Sequence, residues 1–208
     1  IGYAAGGAIN STDADGTVAI GTSALEVLTE GQYNTAVGYR SGDNVTTGDN
    51  NTFLGYDSGT RGGSADGVTT GSSNTGLGYR ALSGNSGAAL TGSQNTAVGA
   101  NAGLVLSGSA GYNTLVGSAA GTAITTGTYN TFVGAWCGDA VTDEGYNTAV
   151  GFQAFSAGGG ASHSVAMGYQ AGAAITDGDG NVVIGAGAGD AMTTTSSTVL
   201  IGQDSGTA

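Results

Sequence analysis

Proline and lysine are both missing from this 208-residue chain, and three arginines face fifteen acids. Without proline, nothing removes a backbone N–H donor, which suits a chain whose N–H groups are committed to hydrogen-bonded ladders. The formal net charge of −12 argues against nucleic acid and against anionic membrane surfaces as partners. A single cysteine, Cys137, rules out an internal disulfide. The single histidine, His163, has no Cys, Asp or Glu at ligand spacing and reads as a surface turn residue. The sequence shows no nucleophile elbow with a base in register, no signal-peptide pattern and no apolar run long enough to cross a membrane. Charged residues are only 9% of the total, so the surface is built mainly from Thr, Ser, Asn, Gln and Gly. Such a neutral polar surface is commoner outside cells.

What is abundant is glycine, 43 residues, and it is periodic. Asn-Thr-apolar-Val-Gly stands at 113–117, 130–134 and 147–151, 17 residues apart each time. Taking that last glycine as an anchor gives Gly2, Gly21, Gly38, Gly55, Gly78, Gly99, Gly117, Gly134, Gly151, Gly168, Gly185 and Gly202. The spacing is 17, with longer intervals confined to the first half. The residue before each anchor is always apolar, and the residue three after is always small, with Cys137 standing where Ala is usual. The position seven after is usually apolar: Ile9, Leu28, Val45, Leu106, Ile124, Val141, Ile175 and Met192. Recurrent glycine and the lack of helical spacing exclude helices. Two short β-rich runs per repeat, separated by Gly/Asn/Ser/Asp turns, predict a parallel β-solenoid of about twelve turns over 1–208, a single domain. Asn34, Asn51, Asn74, Asn95, Asn113, Asn130, Asn147 and Asn181, four before the anchors, read as an amide ladder at a corner. An acyltransferase solenoid, which needs an aliphatic residue every six positions, is excluded by Gly, Asp or Thr at those places. The repeat is entered in mid-strand at Ile1 and left in mid-repeat at Ala208, so a window cut from a longer protein is expected.

At 163–168, HSVAMG, and 181–185, NVVIG, the pattern resembles the head repeat of the YadA-like trimeric autotransporter adhesins; Asn34-Thr35-Ala36-Val37-Gly38-Tyr39-Arg40-Ser41 is a further instance. The same repeats are similar to shaft segments of phage tail fibres. The resemblance covers the whole chain. It implies a left-handed parallel β-roll assembled as a homotrimer, in an extracellular fibre on a cell surface or virion. The adhesin repeat is shorter, so the extra residues here lengthen a corner or the second strand.

Several residues are candidates for ligands. Asp13-Ala14-Asp15-Gly16 and Asp177-Gly178-Asp179-Gly180 read either as hydrated turns or as calcium sites shared between turns, with Asp13, Asp15, Asp177 and Asp179 as ligands. No other cofactor is expected. Trp136 lies in a column of polar residues and should face solvent; with Tyr129 and Tyr146 nearby it could stack on a sugar ring of a surface glycan or host receptor. Insertions at Thr60–Asp66 and Ser83–Ala89 should bulge from one corner, with Arg61 and Asp66 at the tip as candidate recognition residues. Thr29, Thr46, Thr125, Thr142, Thr176 and Thr193, eight after the anchors, form an outward file that raises an ice-binding alternative.

Strand alternation sets the last expectation. If the residue before the anchor faces the chain's own core, the one two before faces out. That column holds Phe53, Leu115, Phe132, Val183 and Leu200, which would then form an apolar stripe and the interface of a parallel homotrimer. The functional expectation is a non-enzymatic structural segment of an attachment fibre; the alternative is a self-assembling extracellular filament without a receptor.

Overall fold

The computed structural model describes residues 1–9, 14–60, 68–84 and 88–206. Eleven three-residue strands follow one another: β1 (Val18–Ile20), β2 (Thr35–Val37), β3 (Thr52–Leu54), β4 (Thr75–Leu77), β5 (Thr96–Val98), β6 (Thr114–Val116), β7 (Thr131–Val133), β8 (Thr148–Val150), β9 (Val165–Met167), β10 (Val182–Ile184) and β11 (Val199–Ile201). They form one sheet in sequence order, every pairing parallel and without a register slip: Thr114 sits on Thr131, and Leu115 on Phe132. This is the all-β parallel solenoid that the period predicts. At ~4.8 Å per strand the sheet runs for about 50 Å.

The anchor glycine turns the chain at the end of each strand. Gly134 has φ +142°, a region closed to residues with a Cβ, and a Cβ there would overlap the carbonyl of Gly151 in the next turn. Three further positions in most turns are left-handed. In one turn they are Trp136 (φ 56°), Gly138 (φ 58°) and Tyr146 (φ 62°). Corner N–H groups are satisfied by the neighbouring turn, as in Trp136 N–H to Ser118 O (3.0 Å) and Tyr146 N–H to Thr128 O (3.1 Å).

The core has three columns. The middle residue of each strand points inward, and Ala36, Phe53, Leu115, Phe132 and Val183 are fully buried. The small column three after the anchor, Ala24 through Ala188, is buried against it. The column seven after supplies Leu28, Val45, Leu106, Ile124, Val141 and Ile175. That second apolar run forms no continuous strand. Among the described residues only isolated parallel bridges occur there, Val68 to Leu90 and Leu90 to Gly108. Val68 and Leu90 follow the two insertions and return the chain to this core column.

The strand parity is the reverse of that expected. Phe53, Leu115, Phe132, Val183 and Leu200 belong to the core rather than to an outer stripe, and Leu200 alone among them is only partly buried. The aliphatic residue just before each anchor faces out instead. The asparagine column explains the parity. Asn lies two residues before the middle of each strand and therefore on the same side. Its amide is buried at the inner corner.

There the ladder is continuous. Asn113 Nδ2 donates to Asn95 Oδ1 (3.0 Å) and to Gly127 O of the next turn (2.9 Å), and its Oδ1 accepts from Asn130 N (3.0 Å). Ser164 occupies the one interior turn that lacks Asn between Asn147 and Asn181; its Oγ accepts from Asn181 N (3.1 Å). Ser164 Oγ donates to Ser162 O (3.2 Å) instead of to Gly178 O, and Asn181 Nδ2 covers that carbonyl (2.8 Å) as well as Thr195 O (2.7 Å). Asn113→Ala would leave a buried carbonyl and a buried N–H unpaired, at ~1–3 kcal/mol each. The expected result is a lower urea midpoint with an unchanged m-value, and a smaller loss for Asn113→Ser, which keeps an acceptor as Ser164 does.

Candidate functional site

With the middle residues turned inward, the first and third residues of every strand make one outward face. The first file reads Val18, Thr35, Thr52, Thr75, Thr96, Thr114, Thr131, Thr148, Val165, Val182 and Val199; the third reads Ile20, Val37, Leu54, Leu77, Val98, Val116, Val133, Val150, Met167, Ile184 and Ile201. Neither file contains a charged residue in eleven strands, although the chain carries a net −12. In-register pairing keeps each file straight, and two residues along a strand separate the files by ~6.7 Å. The aliphatic file is substantially exposed: Leu54 43%, Leu77 39%, Val133 36% and Met167 42%.

Aromatic ladders border the strands. Before the asparagine column, Tyr112, Tyr129, Tyr146 and His163 stack at 4.7, 4.9 and 4.9 Å with interplanar angles of 7°, 10° and 6°. After the anchor, Tyr39, Tyr56 and Tyr79 stack at 5.2 and 5.6 Å, and Phe152 lies on Tyr169 at 5.8 Å. His163 is thus a rung of the tyrosine ladder, one period after Tyr146, and more than the isolated turn residue expected. The stacking also bears on the sugar-binding candidates. Both faces of Tyr129 and Tyr146 are covered by neighbouring rings, so neither offers a free face to a sugar. Trp136 is about half exposed, as expected, but it makes no ring contact with either. The structure therefore does not assemble these three residues into one platform.

The acidic turns divide. Asp179 Oδ1 accepts from Ser162 N (2.7 Å), and Asp49 Oδ1, in the same column, accepts from Gln32 N (2.7 Å). These two carboxylates stand where a corner N–H of the preceding turn needs an acceptor; Asp15 belongs to the same column by position. Asp177 is exposed. Asp13, Arg61 and Asp66 lie outside the described residues. Among the described residues no three His, Cys, Asp or Glu side chains are grouped to hold a metal ion. Four of the threonines eight after the anchor spend their hydroxyls along the axis: Thr29, Thr46, Thr125 and Thr176 each donate to the carbonyl one turn on, at 3.0–3.2 Å, whereas Thr142 donates to Asp143 Oδ1 (3.1 Å) in its own turn. Cys137 is buried, its Sγ donates to Ala149 O (3.3 Å), and burial pushes its pKa up to about 12, so it packs as a small apolar residue.

The sequence reading missed a charged group around Arg40. Arg40 Nε donates to Asp43 Oδ2 at 2.8 Å. Asp43 and Asp57 are both buried, and each leaves Oδ1 without a hydrogen bond. Arg40, Asp57 and Arg80 occupy the same column on successive turns, so charges alternate along the axis. Burial pushes Asp57 above the usual carboxylate range against the pull of Arg40 and Arg80. For Asp43 burial outweighs the Arg40 pair and raises the pKa from 3.8 to about 6. The signal for this group was the 40/57/80 column itself.

Comparison with protein-family models, curated proteins and solved structures finds no match to this chain.

The pH dependence follows from Asp43. A carboxyl whose folded pKa lies above its unfolded value holds an extra proton when folded. Its stabilising contribution is complete below about pH 4 and is lost as pH rises through about 6. The span from 3.8 to about 6 corresponds to at most ~3 kcal/mol. Acidification also relieves repulsion among the other acids, so a variant separates the two effects. Asp43→Asn should flatten the rise in urea midpoint between pH 7 and pH 4 relative to the unsubstituted chain.

Proposed function

We propose that this chain is a non-enzymatic structural segment of an extracellular attachment fibre, in which sister chains pack through the outer face of the sheet. The observation that carries this reading is the uncharged, aliphatic file running the length of an otherwise acidic rod. Soluble monomers avoid a continuous apolar stripe of this kind, and removing it from water yields roughly 25 cal/mol per Å². A single stripe parallel to the rod axis suits cyclic closure of parallel chains. The repeats' resemblance to adhesin heads and tail-fibre shafts favours three chains and a left-handed roll. The mechanism is mechanical: a stack of hydrogen-bonded turns holds a terminal binding element away from its anchor.

The corrected parity moves the test to other residues. Val133→Asp, on the outer file, should keep the β-type circular dichroism and yield monomers by light scattering, whereas Phe132→Asp, one residue away in the core, should fail to fold. If the unsubstituted chain is a stable monomer at micromolar concentration, the fibre reading is lost.

One observation favours a second reading. Thr35, Thr52, Thr75, Thr96, Thr114, Thr131 and Thr148 stand in register on seven consecutive strands, and their hydroxyls make no hydrogen bond among the described residues. Beside the aliphatic file they form the second straight file that an ice-binding face needs. On this reading the monomer shows thermal hysteresis that Thr114→Lys reduces; no hysteresis in the unsubstituted monomer excludes it.

A further inference from the structure

Nine tyrosines are present, and six of them form two stacked ladders. Tyr112, Tyr129 and Tyr146 lie 4.7 and 4.9 Å apart, centroid to centroid, with planes within 10°. Tyr39, Tyr56 and Tyr79 lie 5.2 and 5.6 Å apart with planes within 18°. All six are about half exposed, and their phenol hydroxyls make no hydrogen bond among the described residues. Stacking covers the ring faces and leaves to water the edges, which carry the hydroxyl and ortho carbons. The backbone fixes the pairing. Tyr129 N–H is held by Gly111 O (3.1 Å) and Tyr146 N–H by Thr128 O (3.1 Å), so neighbouring rings cannot drift out of register.

We propose that these ladders are sites of oxidative dityrosine cross-linking between successive turns. The reaction takes a one-electron oxidant, the ferryl haem of a peroxidase charged with hydrogen peroxide. Each of two neighbouring phenols loses one electron and its hydroxyl proton. The two phenoxyl radicals couple through ortho carbons, forming one C–C bond. The ortho hydrogens then pass to the ring oxygens and both rings regain aromaticity. Two electrons and two protons have left, and one peroxide is reduced to two waters. Radical coupling is ordinarily limited by encounter; here the partner is already in contact, which gives it a high effective concentration. Half-exposed rings retain the freedom to tilt from stacking into bonding distance. Each link closes a 17-residue loop in the closely stacked ladder and staples one turn to the next. The inference stands independently of the fibre reading.

The other three tyrosines are internal controls. Tyr169 stacks on Phe152. Tyr33 has Gly16 and Asn50 at its place on the adjacent turns, and Tyr3 has Thr22. The experiment treats the purified chain with haem peroxidase and limiting hydrogen peroxide, as a mixture of isotopically heavy and light copies. Dityrosine is read by fluorescence and its linked peptides by mass spectrometry. The expected links are Tyr112–Tyr129, Tyr129–Tyr146, Tyr39–Tyr56 and Tyr56–Tyr79, joining peptides of one isotope. Tyr129→Phe keeps a stacking ring, removes two of these four pairs and so roughly halves the fluorescence. The proposal is overturned by any of four results: no dityrosine, links at Tyr3, Tyr33 or Tyr169 as abundant as those in the ladders, a majority of heavy–light links, or fluorescence unchanged by Tyr129→Phe.

Discussion

Everything in this structure depends on stacking without slip, each turn one strand spacing above the last. The anchor glycine is where that constraint is sharpest. Its φ of +127° to +144° is open only to glycine. Its missing Cβ also makes room for the glycine carbonyl of the adjacent turn at nearly every level. Two independent demands fall on one atom that must be absent, and this explains why the anchor does not vary over twelve occurrences. A residue with a side chain there would separate two turns and break every column crossing that junction.

Stacking like on like then decides which side chains each column tolerates. An amide carries both donor and acceptor, so asparagine can repeat indefinitely against itself. A phenol ring stacks on its own copy. A charge cannot, because two like charges at ~4.8 Å repel. The low charged content follows, as does the alternation of Arg40, Asp57 and Arg80. The core obeys the same rule with local exchanges of volume. Phe155 takes a place usually held by glycine, four after the anchor, while Gly158 takes the aliphatic place; a Cβ on Gly158 would strike the Phe155 ring. Gly59 and Gly138 likewise leave room for Phe53 and Phe132. Large residues are accommodated within a turn by deleting a neighbour rather than by moving a strand.

Fold class, period, asparagine ladder and small buried column were legible because each is a column property, visible wherever like residues recur. The inward direction of each strand was not read correctly, since both candidate columns are apolar. Uniformly aliphatic Val, Leu and Ile looked like core beside a column often reduced to alanine. Two parity signals could have decided it: Asn, which must be buried to run a ladder, and Thr, which sits comfortably on an exposed strand. Asn shares a face with the middle residue, and Thr shares one with the aliphatic residue. The place of His163 was readable from its distance to Tyr146. The burial of Asp43 was not, because it depends on how closely the Arg40 corner packs.

The same logic bears on what this surface can recognise. A solenoid that repeats every residue at a fixed rise repeats its surface chemistry too. A site built on the columns is therefore a line, with the same weak contact offered at every turn. The outer files offer an aliphatic and a threonine contact on each of seven adjacent strands, β2 to β8. Each contact contributes little alone, and a small ligand touching one or two turns would gain little. A partner that is straight and extended over the same distance collects all of them without bending. Its ordering cost is also low, because the rod is already rigid. A second copy of the chain, the partner proposed above, has the same spacing by construction. The physical selectivity of this face is thus for periodicity, and point recognition needs something that breaks the repeat.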